Sequence, residues 1–236
     1  MDKITGRRAV MEVLKDNGKI NKLLVAKGSA PKGIVQAARK KGISFSRVEK
    51  KVLDTYGKNN QGVVAFASPQ EYTAFEDLHF TKNSFFVLLD RVQDPRNLGA
   101  IIRSCEFFGV DAVLIPKKRS AKLTKTVWKT SSGALEYMKV VLVNNMAKTI
   151  EKLREKKIWI VGADIDGESC FKKNLKGPMA LVFGGEHRGM RRLVRKRCDL
   201  LVKIPGTGSI EALNVSTAAG ILIYETLRQR RKLKNI

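Results

Sequence analysis

The sequence predicts an α/β protein in which a small α/β domain precedes a larger one built on a mostly parallel sheet. Three observations carry that reading. From Phe85 onward, six short apolar segments alternate with stretches of helical period. Those segments are apolar on consecutive residues, as strands buried on both faces must be. The pattern is interrupted over residues 67–82 by a polar stretch holding Pro69, Glu71, Glu76 and Asp77, which reads as a linker.

The elements follow in order. Residues 1–66 form the first domain and alternate a helix, a strand, a helix and two short strands. Thr5 is expected to cap a helix over 6–15, and 20–26 is a strand. A second helix follows Pro31, residues 48–56 make a short helical turn, and 63–66 is a buried strand. Residues 83–236 form the second domain. Its strands are expected at 85–89, 112–115, 140–143, 158–161, 180–183 and 200–204. Its helices fall at 97–108, 124–131, 146–156 and 214–231. There is no internal repeat.

Charge narrows the partners. The 236 residues carry 46 Lys+Arg against 22 Asp+Glu, a net +24, which predicts a polyanionic partner. A thermophile's solubility charge would bring extra Glu alongside Lys, and this chain has none to spare. Six basic residues surround Trp128 between Lys117 and Lys129, and six more lie between Arg188 and Arg197. Charge runs are commonly solvated faces, but two inside one domain read as phosphate-contacting surface. No apolar run exceeds five residues, as in 85–89, so no membrane-spanning helix is expected. Residues 1–5 lack a signal peptide's apolar stretch, and a cytoplasmic protein is expected. Cys105, Cys170 and Cys198 form no C-x-x-C pair, and His79 and His187 complete no zinc spacing, so no metal is expected.

Three segments break the apolar rhythm directly after a strand. In LLDRVQDPRNLGAIIRSCEFFGVDAVLIP (88–116), a polar loop after Asp90 opens a helix with Asn97 and Arg103 six residues apart. That is close to two turns, so both can face the strand-end crevice, although an N-cap and a surface cation are the plainer roles. In LVFGGEHRGMRRL (181–193), Gly184-Gly185 permits close approach to the backbone, and Glu186 follows at the edge where open α/β sheets bind ligands. A tight turn with Glu186 at a helix N-terminus is the alternative. In VKIPGTGSIEALNVSTAAGILIYETLRQRRK (202–232), Gly206 and Gly208 hint at a phosphate loop. Glu211 stands where the dinucleotide fingerprint needs its third glycine, so a nicotinamide enzyme is a weak reading. Asn214 opens the last helix, as a cap or as a site residue.

NLGAIIR, FGGEHRGM and IPGTGSIEALNVSTAAGI resemble, in order and at fitting distances, motifs 1, 2 and 3 of the SpoU branch of the SPOUT RNA methyltransferases. RSAKLTKTVWKTSSGALE and KKIWIVGADIDG fit between them, while TGRRAVMEVL and NNQGVVAFASP are similar to that family's N-terminal domain. The likeness is nearest to the branch that makes 2′-O-methylguanosine in the peptidyl-transferase region of 23S ribosomal RNA or its assembly precursor. It implies a carboxyl-terminal trefoil knot with S-adenosylmethionine bent among the knotted loops. It also implies a homodimer with each active site completed near the interface, and an N-terminal domain like ribosomal protein L30e.

Carried over by motif, Asn97, Arg103, Glu186 and Asn214 fall on the family's catalytic polar positions. Gly184, Ile204 and Leu213 fall on its cofactor-binding positions. The resemblance places Arg103 beside the ribose hydroxyl. Its guanidinium stays protonated, so it is expected to clamp phosphate and stabilise alkoxide charge rather than act as a base. The family's usual serine two residues before the motif-3 asparagine is Ala212 here, so any hydroxyl role is absent or falls to Ser209 or Ser216. A SPOUT-fold RNA-binding protein without catalysis and a tRNA 2′-O-methyltransferase are the alternatives.

Overall fold

The computed structural model describes residues 2–15, 20–67, 72–186 and 188–230. The chain divides into two compact units, Met1–Glu71 and Tyr72–Ile236.

The first unit runs β1 (Asp2–Thr5), α1 (Arg7–Lys15), β2 (Ile20–Ala26), α2 (Lys32–Lys40), β3 (Phe45–Val48), α3 (Lys50–Asp54) and β4 (Val63–Ala67). Its sheet has the order β1-β4-β2-β3; β4 is antiparallel to both neighbours, and β2–β3 is parallel. The last four residues of β2 are all buried because both faces are covered. Leu23 and Val25 pack with α1 and α2, and Leu24 and Ala26 pack with Leu53 of α3.

Two local expectations are corrected. Thr5 ends a strand instead of capping α1, and Gly6, at φ +94°, turns the chain into the helix. The strand was invisible because Ile4 is its one buried apolar residue. Val48 closes β3 instead of opening a helical turn, since pairing with Ala26 outweighs local helical pattern.

The second unit contains β5 (Phe85–Asp90), α4 (Pro95–Phe107), β6 (Ala112–Pro116), α5 (Lys125–Ser131), β7 (Val140–Val143) and α6 (Met146–Glu155). It continues with β8 (Trp159–Ser169), β9 (Met179–Gly184), α7 (Arg192–Lys196), β10 (Leu200–Lys203) and α8 (Val215–Arg230). All six strands are parallel, in the order β10-β8-β9-β5-β6-β7. Alternate residues of β5 serve opposite cores. Phe85, Val87 and Leu89 face α4, α5 and α8, whereas Phe86 and Leu88 face α6 and α7.

Residues 68–71 of the expected linker lie outside the described residues. The stretch from Tyr72 packs on the second unit. Thr73 donates its N–H to Val140 O at 2.8 Å, and Leu78, Phe75 and Phe80 join the α6-side core. Its aromatics, scattered among acids, gave no periodic signal.

Candidate active site

Parallel strands deliver their carboxyl ends to one edge of a sheet, and β5 and β9 are neighbours there, with Asp90 opposite Gly184. Asp90 is fully buried. Its carboxylate accepts from Arg191 N at 2.8 Å and from Arg191 Nε at 2.8 Å, tying the loop after β9 back to β5. A lone acid ending an otherwise apolar strand is the signal that could have marked this pair.

The two glycines serve the chain's own backbone. A Cβ on Gly184 would lie 2.1 Å from Gly189 C, and one on Gly185 would lie 2.4 Å from Arg91 O. Gly185 and Gly189 exchange backbone hydrogen bonds of 3.2 and 3.0 Å. The close approach expected of a ligand is therefore made, on the Cβ side, by protein. Arg91 itself holds φ +71° there, a left-handed conformation uncommon away from glycine.

Three of the four catalytic candidates meet. Asn97 Nδ2 donates to Glu186 Oε1 at 2.8 Å, across 89 residues of sequence. Asn214 Nδ2 donates to Asn97 Oδ1 at 3.2 Å, and Ser216 Oγ donates to Asn214 Oδ1 at 2.6 Å. Chemistry sets the direction of this relay. An ionised Glu186 accepts only, so Asn97 must turn its amide nitrogen to it and its oxygen to Asn214. Ser216 thus brings to the cluster a hydroxyl that Ala212 does not offer.

Asn97 does not cap α4. Asp94 does, accepting from Arg96 N at 2.7 Å ahead of Pro95, which frees Asn97 to reach Glu186. Asn214 has both roles, since its Oδ1 also accepts from Ser216 N at 2.8 Å at the start of α8.

Arg103 stands apart from the relay. Six residues place it roughly 120° around the helix from Asn97, toward α5. There its Nη1 donates to Ser132 Oγ at 3.2 Å, a partner that the sequence reading missed.

The cofactor candidates also lie at the carboxyl edge. Ile204 leaves β10 half-buried against the α8-side core, and Leu213 is 50% exposed. Between them Ile210 is 87% exposed, and Gly206 and Gly208 have nothing within 4 Å of an added Cβ. Gly167 of β8 closes on β10, where a Cβ would meet Val202 N at 2.6 Å.

The two basic runs differ. Arg191, Arg195 and Arg197 are paired with Asp90, Asp164 and Glu151, so half of the second run is structural. Burial alone would raise the Asp164 carboxyl, but its bond to Arg195 prevails and holds it below the usual carboxylate range. Among the described residues, none of the six cations between Lys117 and Lys129 has an acidic partner. Burial pushes the Cys198 thiol up to about 12 and the Cys105 thiol higher still. Among the described residues no helix is long and apolar enough to cross a membrane, and no acid, histidine and cysteine cluster is arranged for a metal.

Residues 84–224 match the SpoU rRNA methylase family, and residues 3–73 match the substrate-binding domain of RNA 2′-O ribose methyltransferases. The chain is 42% identical over 241 residues to Bacillus subtilis YacO, assigned to the TrmH family of tRNA/rRNA methyltransferases, covering 97% of this chain and 96% of that protein. A Staphylococcus haemolyticus protein of the same assignment is 38% identical, over 98% and 96% of the two chains. In fold the chain is similar to the SpoU methyltransferase AviRb of Streptomyces viridochromogenes, crystallised with AdoMet. The TM-score is 0.71 at 23% identity, covering 96% of this chain and 89% of that one. A crystallised RNA 2′-O ribose methyltransferase gives 0.67 at 25% identity, over 96% and 88%.

Proposed function

The chain belongs to the SpoU rRNA methylase family, and from that premise we propose that it methylates a ribose 2′-hydroxyl of 23S ribosomal RNA, at a guanosine of the peptidyl-transferase region. The methyl donor is S-adenosylmethionine, which supplies an electrophilic sulfonium methyl when bound. The single observation that carries the reading is the relay from Ser216 through Asn214 and Asn97 to Glu186. It gathers three strand-end segments into one polar cluster, which grip on RNA alone would not require.

The residues present fit the donor. Ile210 and Leu213 offer exposed apolar surface for an adenine, and the open space at Gly206 and Gly208 leaves backbone groups accessible. Gly184 and Ile204 flank that loop in the proposed pocket.

Arg103 clamps a substrate phosphate and stabilises the negative charge that builds on the ribose oxygen. Glu186, held by Asn97, orients the ribose with Asn214. The departing proton is left to a substrate phosphate. The six cations from Lys117 to Lys129, free of acidic partners among the described residues, hold the RNA backbone beside the site. A homodimer completes the site. Its proposed face is the exposed apolar patch of α4 and α8, where Phe107 is 78% and Tyr224 53% exposed and Phe108 lies 5.8 Å from the Tyr224 ring.

The test is transfer of labelled methyl from S-adenosylmethionine to total RNA of a deletion strain, followed by mass spectrometry of nucleosides. Label in 2′-O-methylguanosine of 23S rRNA is expected. Label confined to tRNA, or to a base, would refute the substrate assignment. In the same assay Arg103→Ala should turn over roughly a hundredfold more slowly with donor binding unchanged.

A further inference from the structure

We propose that Ser132 is a positioning residue for Arg103, holding the guanidinium with a neutral acceptor so that its charge remains available to RNA phosphate. The proposal rests on the reading above, in which Arg103 serves methyl transfer.

The backbone makes the serine conspicuous. Ser132 caps α5 at φ 52° and ψ 43°, and Gly133 follows at φ 86°. Glycine suits such a left-handed position better than any residue with a Cβ, so a serine here needs another reason. The two residues before it turn their hydroxyls back on α5: Thr130 donates to Thr126 O at 2.8 Å and Ser131 to Trp128 O at 2.9 Å. Ser132 Oγ instead receives Arg103 Nη1 at 3.2 Å.

The two helices are locked where this bond forms. Gly99 lies one turn before Arg103 on α4, and a Cβ there would lie 1.8 Å from Thr130 Oγ1 and 2.9 Å from Val127 O. With the helices touching at Gly99, the end of α5 is set opposite Arg103.

The choice of acceptor is informative. Several other arginines of this unit are held by carboxylates: Arg191 by Asp90, Arg195 by Asp164, Arg197 by Glu151 and Arg228 by Glu225. A carboxylate would orient Arg103 more strongly, but it would neutralise a cation meant for a polyanion. A hydroxyl orients it and leaves the charge. Among the described residues one of its five N–H donors is used, and the others are left for phosphate oxygens.

The experiment compares single-turnover methyl transfer to total RNA from a deletion strain for the full chain, Ser132→Gly, Ser132→Asn, Arg103→Ala and the Ser132→Gly/Arg103→Ala pair. Ser132→Gly removes the hydroxyl while relaxing the backbone, so its melting temperature should hold or rise. Its rate should fall about tenfold with S-adenosylmethionine binding unchanged. Asparagine tolerates the left-handed region and offers an amide oxygen, so Ser132→Asn should recover to within about threefold of the full chain. In the Arg103→Ala background, Ser132→Gly should change nothing further. A wild-type rate for Ser132→Gly, or an undiminished effect of that change in the Arg103→Ala background, would overturn the proposal. A full chain without transferase activity, or an Arg103→Ala chain at full rate, would instead overturn the reading on which it rests.

Discussion

At the scale of single residues, Asn214 carries two duties that ordinary substitutions confuse. It caps α8 through its side-chain oxygen and passes its amide N–H to Asn97. Serine caps as well as asparagine but has no amide to give. Asn214→Ser should therefore keep the melting temperature while lowering the single-turnover rate about tenfold, roughly the worth of one hydrogen bond. Asn214→Ala should reduce the rate as much and also cost about 1 kcal/mol of stability. Paired melting and rapid-quench measurements separate the two. A full-rate Asn214→Ser chain would remove the relay from the mechanism.

Between elements, the packing of α4 on α5 depends on one missing side chain. Thr130 is fixed at Gly99 by bonds to Thr126 O and Val127 O, so it cannot simply turn away. Gly99→Ala should cost about 1–3 kcal/mol as overpacking, read from urea unfolding at constant m-value. Helix α8 is anchored differently. Glu225 accepts from Arg228 Nε at 2.7 Å and Gln229 Nε2 at 2.7 Å, and Gln229 Oε1 accepts from Leu175 N at 2.8 Å. The bond to Arg228 outweighs burial and holds the Glu225 carboxyl below its ordinary range. A carboxyl depressed in the folded state stabilises fully while the unfolded chain is also ionised. That contribution fades as acid protonates the unfolded chain first and then the folded one. The urea midpoint should thus fall as pH drops through and below the ordinary glutamate range, and Glu225→Gln should flatten that part of the profile. An unchanged profile would mean that the pair adds nothing.

For the whole molecule, the division of labour follows from where residues lie. Every candidate site residue belongs to Tyr72–Ile236, while Met1–Glu71 has its own sheet and core. Removing residues 1–71 should leave S-adenosylmethionine affinity unchanged in calorimetry. RNA affinity should fall, and the log–log salt slope should flatten by about 0.7–0.9 for each RNA phosphate that the first unit had neutralised. Equal affinities and slopes for the full and shortened chains would show that the first unit does not grip RNA.

What the sequence determined by itself was local or motif-borne. Runs such as 85–89 and 180–183 announce strands buried on both faces, and all six expected strands of the second unit are present and parallel. The same text resembles its family closely enough to pick out Asn97, Glu186 and Asn214 before their hydrogen bonds are visible. Meetings between distant residues were decided by tertiary structure. Asn97 and Asn214 are 117 residues apart and touch because the strand ends from which their loops depart share one edge of the sheet. No local propensity encodes that order. Helix phase turned Arg103 to Ser132, a partner that no motif marked. Charge counting could not tell the arginines that Asp90, Asp164 and Glu151 neutralise from the cations with no acidic partner among the described residues, because pairing depends on distance in space.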